Sequence, residues 1–142
     1  MTVKQISIFI ENKYGKLNEI LSYLNDKSLR LISATVADTS DYGILRIITS
    51  NQQKTYELLK EKSVLVNLND VIAIRIGNSV HDFAETISFF TKAGVEIEYM
   101  YSFSVNGSAI LVLRTKNLTS AYEVIRERGL RYVQEEELTG LQ

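Results

Sequence analysis

Three groups of residues in this chain of 142 have types and spacings that could do chemistry. The single histidine, His81, stands among Ser79, Asp82 and Glu85, the residue types of a nucleophile, a base and an orienting acid. Such triads are assembled across a fold, whereas short polar residues just ahead of a helix act as its N-cap, and the spacing here is that of a cap. Glu135-Glu136-Glu137 alternate sides if extended and so do not converge on one ion, which leaves a solvated acidic end. With no Cys there is no thiolate catalysis, thiolate metal site or disulfide, and neither a Walker loop nor a dinucleotide glycine fingerprint is present. This reading assigns no catalytic residue, no metal and no cofactor.

The third group is a pair of strand-to-helix turns. In the first, alternating Ile6, Ile8 and Ile10 stop at Glu11-Asn12-Lys13-Tyr14-Gly15-Lys16, and apolar residues resume at helical spacing with Leu17, Ile20, Leu21 and Leu24. The first backbone N–H groups of a helix lack intrahelical partners, and Gly15 is expected to let the chain bend where a Cβ would obstruct, so the turn could cradle a carboxylate or phosphate. Many such turns bind nothing. The second turn, Gly77-Asn78-Ser79-Val80-His81-Asp82, keeps the Asn but has His81 where the first has Gly15.

The two turns belong to a repeat. A shift of 66 residues places Ile8 on Ile74, Ile10 on Ile76, Asn12 on Asn78, Leu45 on Leu111, Thr49 on Thr115 and Tyr56-Glu57 on Tyr122-Glu123, without a gap. Conservative pairs such as Leu24 and Phe90 keep the same phase. The first copy reads as strand 3–10, helix 16–26, strand 29–37, a turn at Asp38-Thr39-Ser40-Asp41, strand 42–49, helix 52–60 and strand 64–68. The second reads as strand 71–76, helix 80–92, strand 95–104, a hairpin turn at Asn106-Gly107, strand 109–115, helix 118–128 and strand 131–134. Each βαββαβ unit should place four antiparallel strands under two helices, which makes the chain α+β with two ferredoxin-like domains, residues 1–69 and 70–142.

The expected cores are Leu17, Leu21, Leu24, Leu58 and Leu59 in one unit and Phe83, Ile87, Phe90, Val124 and Ile125 in the other. The sheet face away from the helices is expected to be bare, with Phe9, Ile44, Ile48, Met100 and Ser102 pointing outward. Tyr99, Tyr101 and Phe103 share a face at strand spacing, but without accompanying Lys or Arg they suit packing better than base stacking. A unit of this size is marginal alone, so packing of the copies and a homodimer are expected.

Composition narrows the partners. A net charge of −1, with 16 basic residues scattered among 17 acidic ones, leaves no footprint for nucleic acid. The run at residues 6–10 is too short and too alternating for a signal segment or membrane span, so the expectation is an untargeted cytoplasmic protein without a membrane partner.

A repeated βαββαβ unit whose first strand ends in Asn-x-x-Gly-x-Leu, here Asn12-Lys13-Tyr14-Gly15-Lys16-Leu17, resembles the ACT domain, and the likeness runs from about residue 3 to residue 135. The family's turn usually reads Pro-Gly; Tyr14 stands where the Pro is expected, and the second copy has lost both. The resemblance implies side-by-side pairing of units in an eight-stranded sheet, with an effector amino acid held where the turn of one unit faces the second strand of its neighbour. The implied ligand-binding residues are Asn12, Lys13, Tyr14, Gly15, Lys16, Leu17, Asn78, Ser79, Val80, Tyr99, Met100 and Tyr101, and the implied ligand is a branched-chain or aromatic amino acid. Three readings follow: a ligand sensor that regulates a metabolic enzyme without chemistry of its own, a dimerisation or assembly module that has lost its ligand, and an enzyme using His81.

Overall fold

The structure, a computed structural model, describes residues 2–11, 15–25, 27–38 and 41–141. The chain divides into two units. The N-terminal unit holds Lys4–Asn69 and the segment from Glu136 onward, and the C-terminal unit holds Asp70–Glu135 together with Val3.

In the N-terminal unit, β1 (Val3–Glu11) alternates as the sequence predicts, sending Ile6, Ile8 and Ile10 toward the helices. It pairs antiparallel with β3 (Tyr42–Thr49), which pairs antiparallel with β2 (Leu31–Asp38) at the sheet edge. Helices α1 (Lys16–Asn25) and α2 (Gln52–Glu61) cover one face, with Ile20, Leu24 and Leu59 buried against Leu45 and Ile47. Asn51 caps α2 by accepting from the Lys54 N–H at 3.1 Å. Buried Gln52 ties that helix to the sheet: its Oε1 accepts from the Thr49 N–H at 2.8 Å and its Nε2 donates to the Lys4 carbonyl at 2.7 Å.

The C-terminal unit repeats the scheme. The strand β4 (Val66–Gly77) pairs antiparallel with β6 (Ser108–Arg114) and with the two-residue β7 (Arg131–Tyr132), and β6 pairs with β5 (Tyr99–Val105). Phe90 of α3 (Val80–Lys92) and Val124 and Ile125 of α4 (Leu118–Arg128) close the core over Ile72, Ile74, Leu111 and Leu113. The Asn106-Gly107 turn has φ of 47° and 80°, the doubly positive conformation that suits a tight hairpin.

Several expectations change. The predicted strands 64–68 and 71–76 are one strand, β4, because the polar residues between them bond sideways instead of turning: Ser7 Oγ donates to Asn69 Oδ1, and Arg114 donates to the Asp70 carbonyl. The strand expected from residue 95 begins at Tyr99, since Val95 closes the end of α3 through its N–H to the Phe90 carbonyl. Leu17 is 39% exposed; α1 turns Ile20 and Leu24 inward, while Leu21 packs at the margin. Phe83 and Ile87 are likewise marginal.

The face away from the helices is not bare. Ile48 is fully buried there, as are Ala73, Ile110 and Val112, which fits the near-continuous apolar runs of β4 and β6, the pattern of strands buried on both sides. Nor do Met100 and Ser102 belong to that face: opposite Leu113 and Leu111 they lie on the helix side, and Tyr99, Tyr101 and Phe103 take the other. The acidic tail forms a short helix, α5 (Glu135–Thr139), with Leu138 buried and the Arg30 guanidinium donating to the carbonyls of Thr139 and Leu141. The predicted turn residues Thr39 and Ser40 and the helix end Asp26 lie outside the described residues. Among the described residues, no helix is long and apolar enough to cross a membrane.

Candidate functional site

The end of β1 and the start of α1 meet at Gly15, whose φ of +87° is a conformation L side chains rarely adopt. A Cβ built there meets nothing within 4 Å among the described residues. The backbone conformation alone is enough to favour glycine there. Gly15 has no side chain with which to cap the helix; its carbonyl accepts the Glu19 N–H at 2.9 Å, and Lys16 pairs with Glu19 at 3.4 Å on the surface. Asn12, Lys13 and Tyr14 lie outside the described residues.

Beside this turn, wholly within the N-terminal unit, is a cavity of about 600 Å³. Strands contribute Phe9, Ile10, Glu11 and Tyr42; α1 contributes Lys16, Glu19, Ile20 and Tyr23; the end of α2 and the loop after it contribute Leu59 and residues 62–65. Phe9 and Tyr42 pack with ring centroids 6.1 Å apart and planes tilted by 51°. The Tyr23 hydroxyl donates to the Leu58 carbonyl at 3.2 Å, and the ammonium groups of Lys62 and Lys27 lie 4.9 and 5.2 Å from its ring centre. Ser63, in the left-handed region at φ 61°, makes the bend that brings Val64 and Leu65 to the cavity.

Of the residues implied by the ACT resemblance, Lys16 lines this cavity and Gly15 adjoins it. Leu17 does not line it. Asn78, Ser79 and Val80 belong to the C-terminal unit, where Ser79 is the N-cap of α3: its Oγ accepts from the Asp82 N–H at 3.0 Å and its backbone N–H donates to Asp82 Oδ2 at 3.4 Å, a closed capping box to which the hydroxyl adds a 2.7 Å bond to the same oxygen. Gly77 makes room for it, since a Cβ there would fall 2.1 Å from Asp82 Oδ2. His81 pairs with Glu85 at 3.6 Å in solvent, so Ser79, His81 and Asp82 form a helix start and not a nucleophile triad. Val80 is 85% exposed. Tyr99, Met100 and Tyr101 sit on β5, opposite Arg114, Leu113 and Val112, whereas Gly77 is opposite Ser108. Within this unit they are therefore separated along the sheet from the level of Gly77 by roughly 14–20 Å at about 3.4 Å per residue. Among the described residues no three His, Asp or Glu side chains gather to hold a metal ion.

Sequence reasoning missed Phe9, Tyr23, Tyr42, Lys62 and Leu65. A signal was available in the repeat: core positions stay apolar between copies, but Phe9, Lys16, Tyr42 and Leu65 match Arg75, Asp82, Ser108 and Arg131. Where the first copy packs Phe9 on Tyr42, the second has Arg75 donating to Ser108 Oγ at 3.1 Å.

Two antiparallel βαββαβ units with a glycine turn leading into the first helix define an ACT-type regulatory fold. The chain matches the family model of the ACT domain pair over residues 1–142 and belongs to that family. Among solved structures it is similar to protein BT0572 from Bacteroides thetaiotaomicron, with 38% identity, a TM-score of 0.93, and 99% of this chain and 98% of that one covered. It shares the fold of the ligand-free regulatory subunit of aspartate kinase from Thermus thermophilus, at 13% identity and a TM-score of 0.59 over 87% of this chain and 91% of that one. Its fold also matches part of Clostridium acetobutylicum aspartate kinase, at 18% identity and a TM-score of 0.52, with 87% of this chain but 32% of the kinase chain covered. Among curated proteins nothing matches.

Proposed function

We propose that this ACT domain pair is a cytoplasmic sensor: it binds an amino acid at the Gly15 turn of its N-terminal unit and passes the bound state to a metabolic enzyme, with no chemistry of its own. The observation that carries this reading is the contrast between the turns. The C-terminal unit consumes its helix start in the Ser79–Asp82 capping box, whereas the N-terminal helix starts at a residue without a side chain, beside a cavity of ligand size. The regulatory subunits of aspartate kinase that share the fold agree with a regulatory role.

A thermal-shift screen against the proteinogenic amino acids tests it. A ligand at a hundred times its Kd adds about 2.7 kcal/mol to folding, roughly 5–10 °C in melting temperature for a chain of this size. Saturation near one ligand per chain is expected, and a flat response to every amino acid at millimolar concentration overturns the reading.

The closed second turn also favours a narrower reading, in which the pair is a dimerisation module. The terminal strands β2 and β5 each have a single paired neighbour, and a homodimer is proposed under both readings. Light scattering that reports a monomer at tens of micromolar counts against the dimer. A flat ligand screen together with a stable dimer favours the module.

A further inference from the structure

On the helix side of the N-terminal unit, α1 and α2 meet along a seam whose charge the second copy does not share. The Tyr23 hydroxyl donates to the Leu58 carbonyl at 3.2 Å, and the Lys54 ammonium donates to the Lys27 carbonyl at 2.8 Å, so α1 and the residues after it are tied to α2. We propose that this seam is a docking surface for an acidic segment of a partner protein, held by Lys27, Lys54 and Lys62. It adds a partner surface to the sensor reading without depending on it, since Lys27 and Lys54 do not line the cavity.

The second copy provides an internal control. Lys54, Leu58 and Lys62 recur one per turn along the side of α2 that meets α1, whereas Gln53, Glu57 and Glu61 form the next row outward, where Gln53 Nε2 donates to Glu57 at 3.0 Å. A shift of 66 residues puts Asp82, Ala93 and Ser120 at the positions of Lys16, Lys27 and Lys54, while Glu19, Glu57 and Glu61 return as Glu85, Glu123 and Glu127. The acids are common to both copies and these lysines are not. Lys62 is a separate case: it returns as Arg128, which lies over Phe89 at 4.6 Å as Lys62 lies over Tyr23 at 4.9 Å, so a cation at that place belongs to the fold. The second copy builds the same helix pair without Lys27 and Lys54, and the fold therefore does not require them.

The contacts these ammonium groups make position them without neutralising them. Lys27 lies over the Tyr23 ring at 5.2 Å and Lys54 donates to a carbonyl, whereas Lys16 pairs with the Glu19 carboxylate. A lysine already held against the surface gives up less rotamer freedom when an anion arrives. Lys54 and Lys62 stand two turns apart on α2, about 12 Å at 1.5 Å per residue, which matches carboxylates two turns apart on a helix or about four residues apart in an extended segment. Nucleic acid fits less well. Binding of a single strand stacks bases on open aromatic faces, and the Tyr23 ring is already engaged by two ammonium groups.

Fluorescence anisotropy on the full chain tests this with a labelled peptide of alternating Glu and Ala, about twelve residues long so that it spans the seam at about 3.3 Å per residue. The same peptide with Gln for Glu and an oligothymidylate of equal length are the controls. The glutamate peptide should bind in about 20 mM salt and weaken at least about tenfold by about 200 mM, as the Debye length falls below about 10 Å. The glutamine peptide should not bind. Lys27→Glu combined with Lys54→Glu should weaken binding at least about tenfold by placing like charges in contact, while the far-ultraviolet spectrum and cooperative melting persist. Where that reversal disturbs folding, Lys27→Ala with Lys54→Ser imports the residues of the second copy and should lose affinity in the same direction. Lys92→Glu with Lys116→Glu makes the same change of net charge on exposed residues of the C-terminal unit and should leave binding within about twofold. Equal loss in the two pairs of variants overturns the site, as does equal binding of the glutamine peptide, tighter lysine-dependent binding of oligothymidylate, or no binding of the glutamate peptide at millimolar concentration. If the peptide does not bind and reversal of Lys27 and Lys54 instead dissociates a dimer in light scattering, a second copy occupies the seam and the partner proposal falls. The amino-acid thermal shift of the wild type is read separately, so either the seam or the sensor reading can fail while the other stands.

Discussion

The two copies solve the same local problems with different residues. Both end each helix on a left-handed residue, but the N-terminal unit uses Ser28 and Ser63, with φ of 58° and 61°, where the C-terminal unit uses Gly94 and Gly129, with φ of 74° and 60°. The bonds at the α2 and α4 ends correspond: Val64 N–H reaches the Leu59 carbonyl at 3.1 Å, and Leu130 N–H reaches that of Ile125 at 2.9 Å. A serine in this conformation carries strain that glycine does not, about 1–2 kcal/mol. At the start of the first helix of each copy the contrast reverses: the N-terminal unit places its glycine ahead of α1, and the C-terminal unit spends the side chains of Ser79 and Asp82 on α3. The copy whose turn closes in a capping box has relaxed helix ends, and the copy with the cavity retains strain beside it, an arrangement met at ligand sites.

The largest test of this contrast is in the cores. Phe90 occupies the position of Leu24 and is the more completely buried of the two, so Phe90→Ala should cost about 3–5 kcal/mol and Leu24→Ala about 2–5 in urea unfolding. Equal destabilisation by both, with one shared transition, would show that the copies differ only at their turns. Next comes Gly15→Val, which forces a β-branched residue to φ +87° at a cost of about 1–3 kcal/mol and should abolish the ligand-induced thermal shift. His81→Ala should leave that shift close to wild type; the opposite pattern would move the sensor to the C-terminal unit.

Smaller effects probe the capping box. Gly77→Ala drives the Asp82 carboxylate off its contacts and should cost about 0.5–2 kcal/mol, as should Asp82→Ala; if the two together cost no more than either alone, they report one interaction. Smallest are the helix ends. Ser63→Gly should stabilise by up to about 1 kcal/mol and Gly129→Ser should destabilise by a similar amount, both read by denaturation midpoint. If Ser63→Gly also alters ligand affinity, the strain at that bend is coupled to the cavity.

Much of the fold was legible because its signals are local. Helices 80–92 and 118–128 and strand 42–49 follow from apolar period, and Gly94 and Gly129 mark true helix ends. Where the reading failed, a nonlocal bond decided. Asn69-Asp70 looks like a break until Ser7 and Arg114 engage it, and Met100 looks outward until its register with Leu113 is known. The site was half legible for the same reason. Gly15 and Lys16 lie in a recognisable motif, but Phe9, Tyr23, Tyr42 and Lys62 come from four separate elements, and no spacing along the chain reveals that they share a cavity.

The assignment of chain ends to units has a consequence for heredity and engineering. The sequence repeats at its midpoint, yet the bodies that fold do not: Val3 goes with Asp70–Glu135, the tail beyond Glu135 goes with Lys4–Asn69, and the border between them falls inside β4. A gene divided at the repeat boundary would encode two fragments, each lacking part of its own body and carrying part of the other's. Each copy in the present chain completes its body with an end of the other, so the part expected to fold when fused, shuffled or transplanted is the pair and not the single copy.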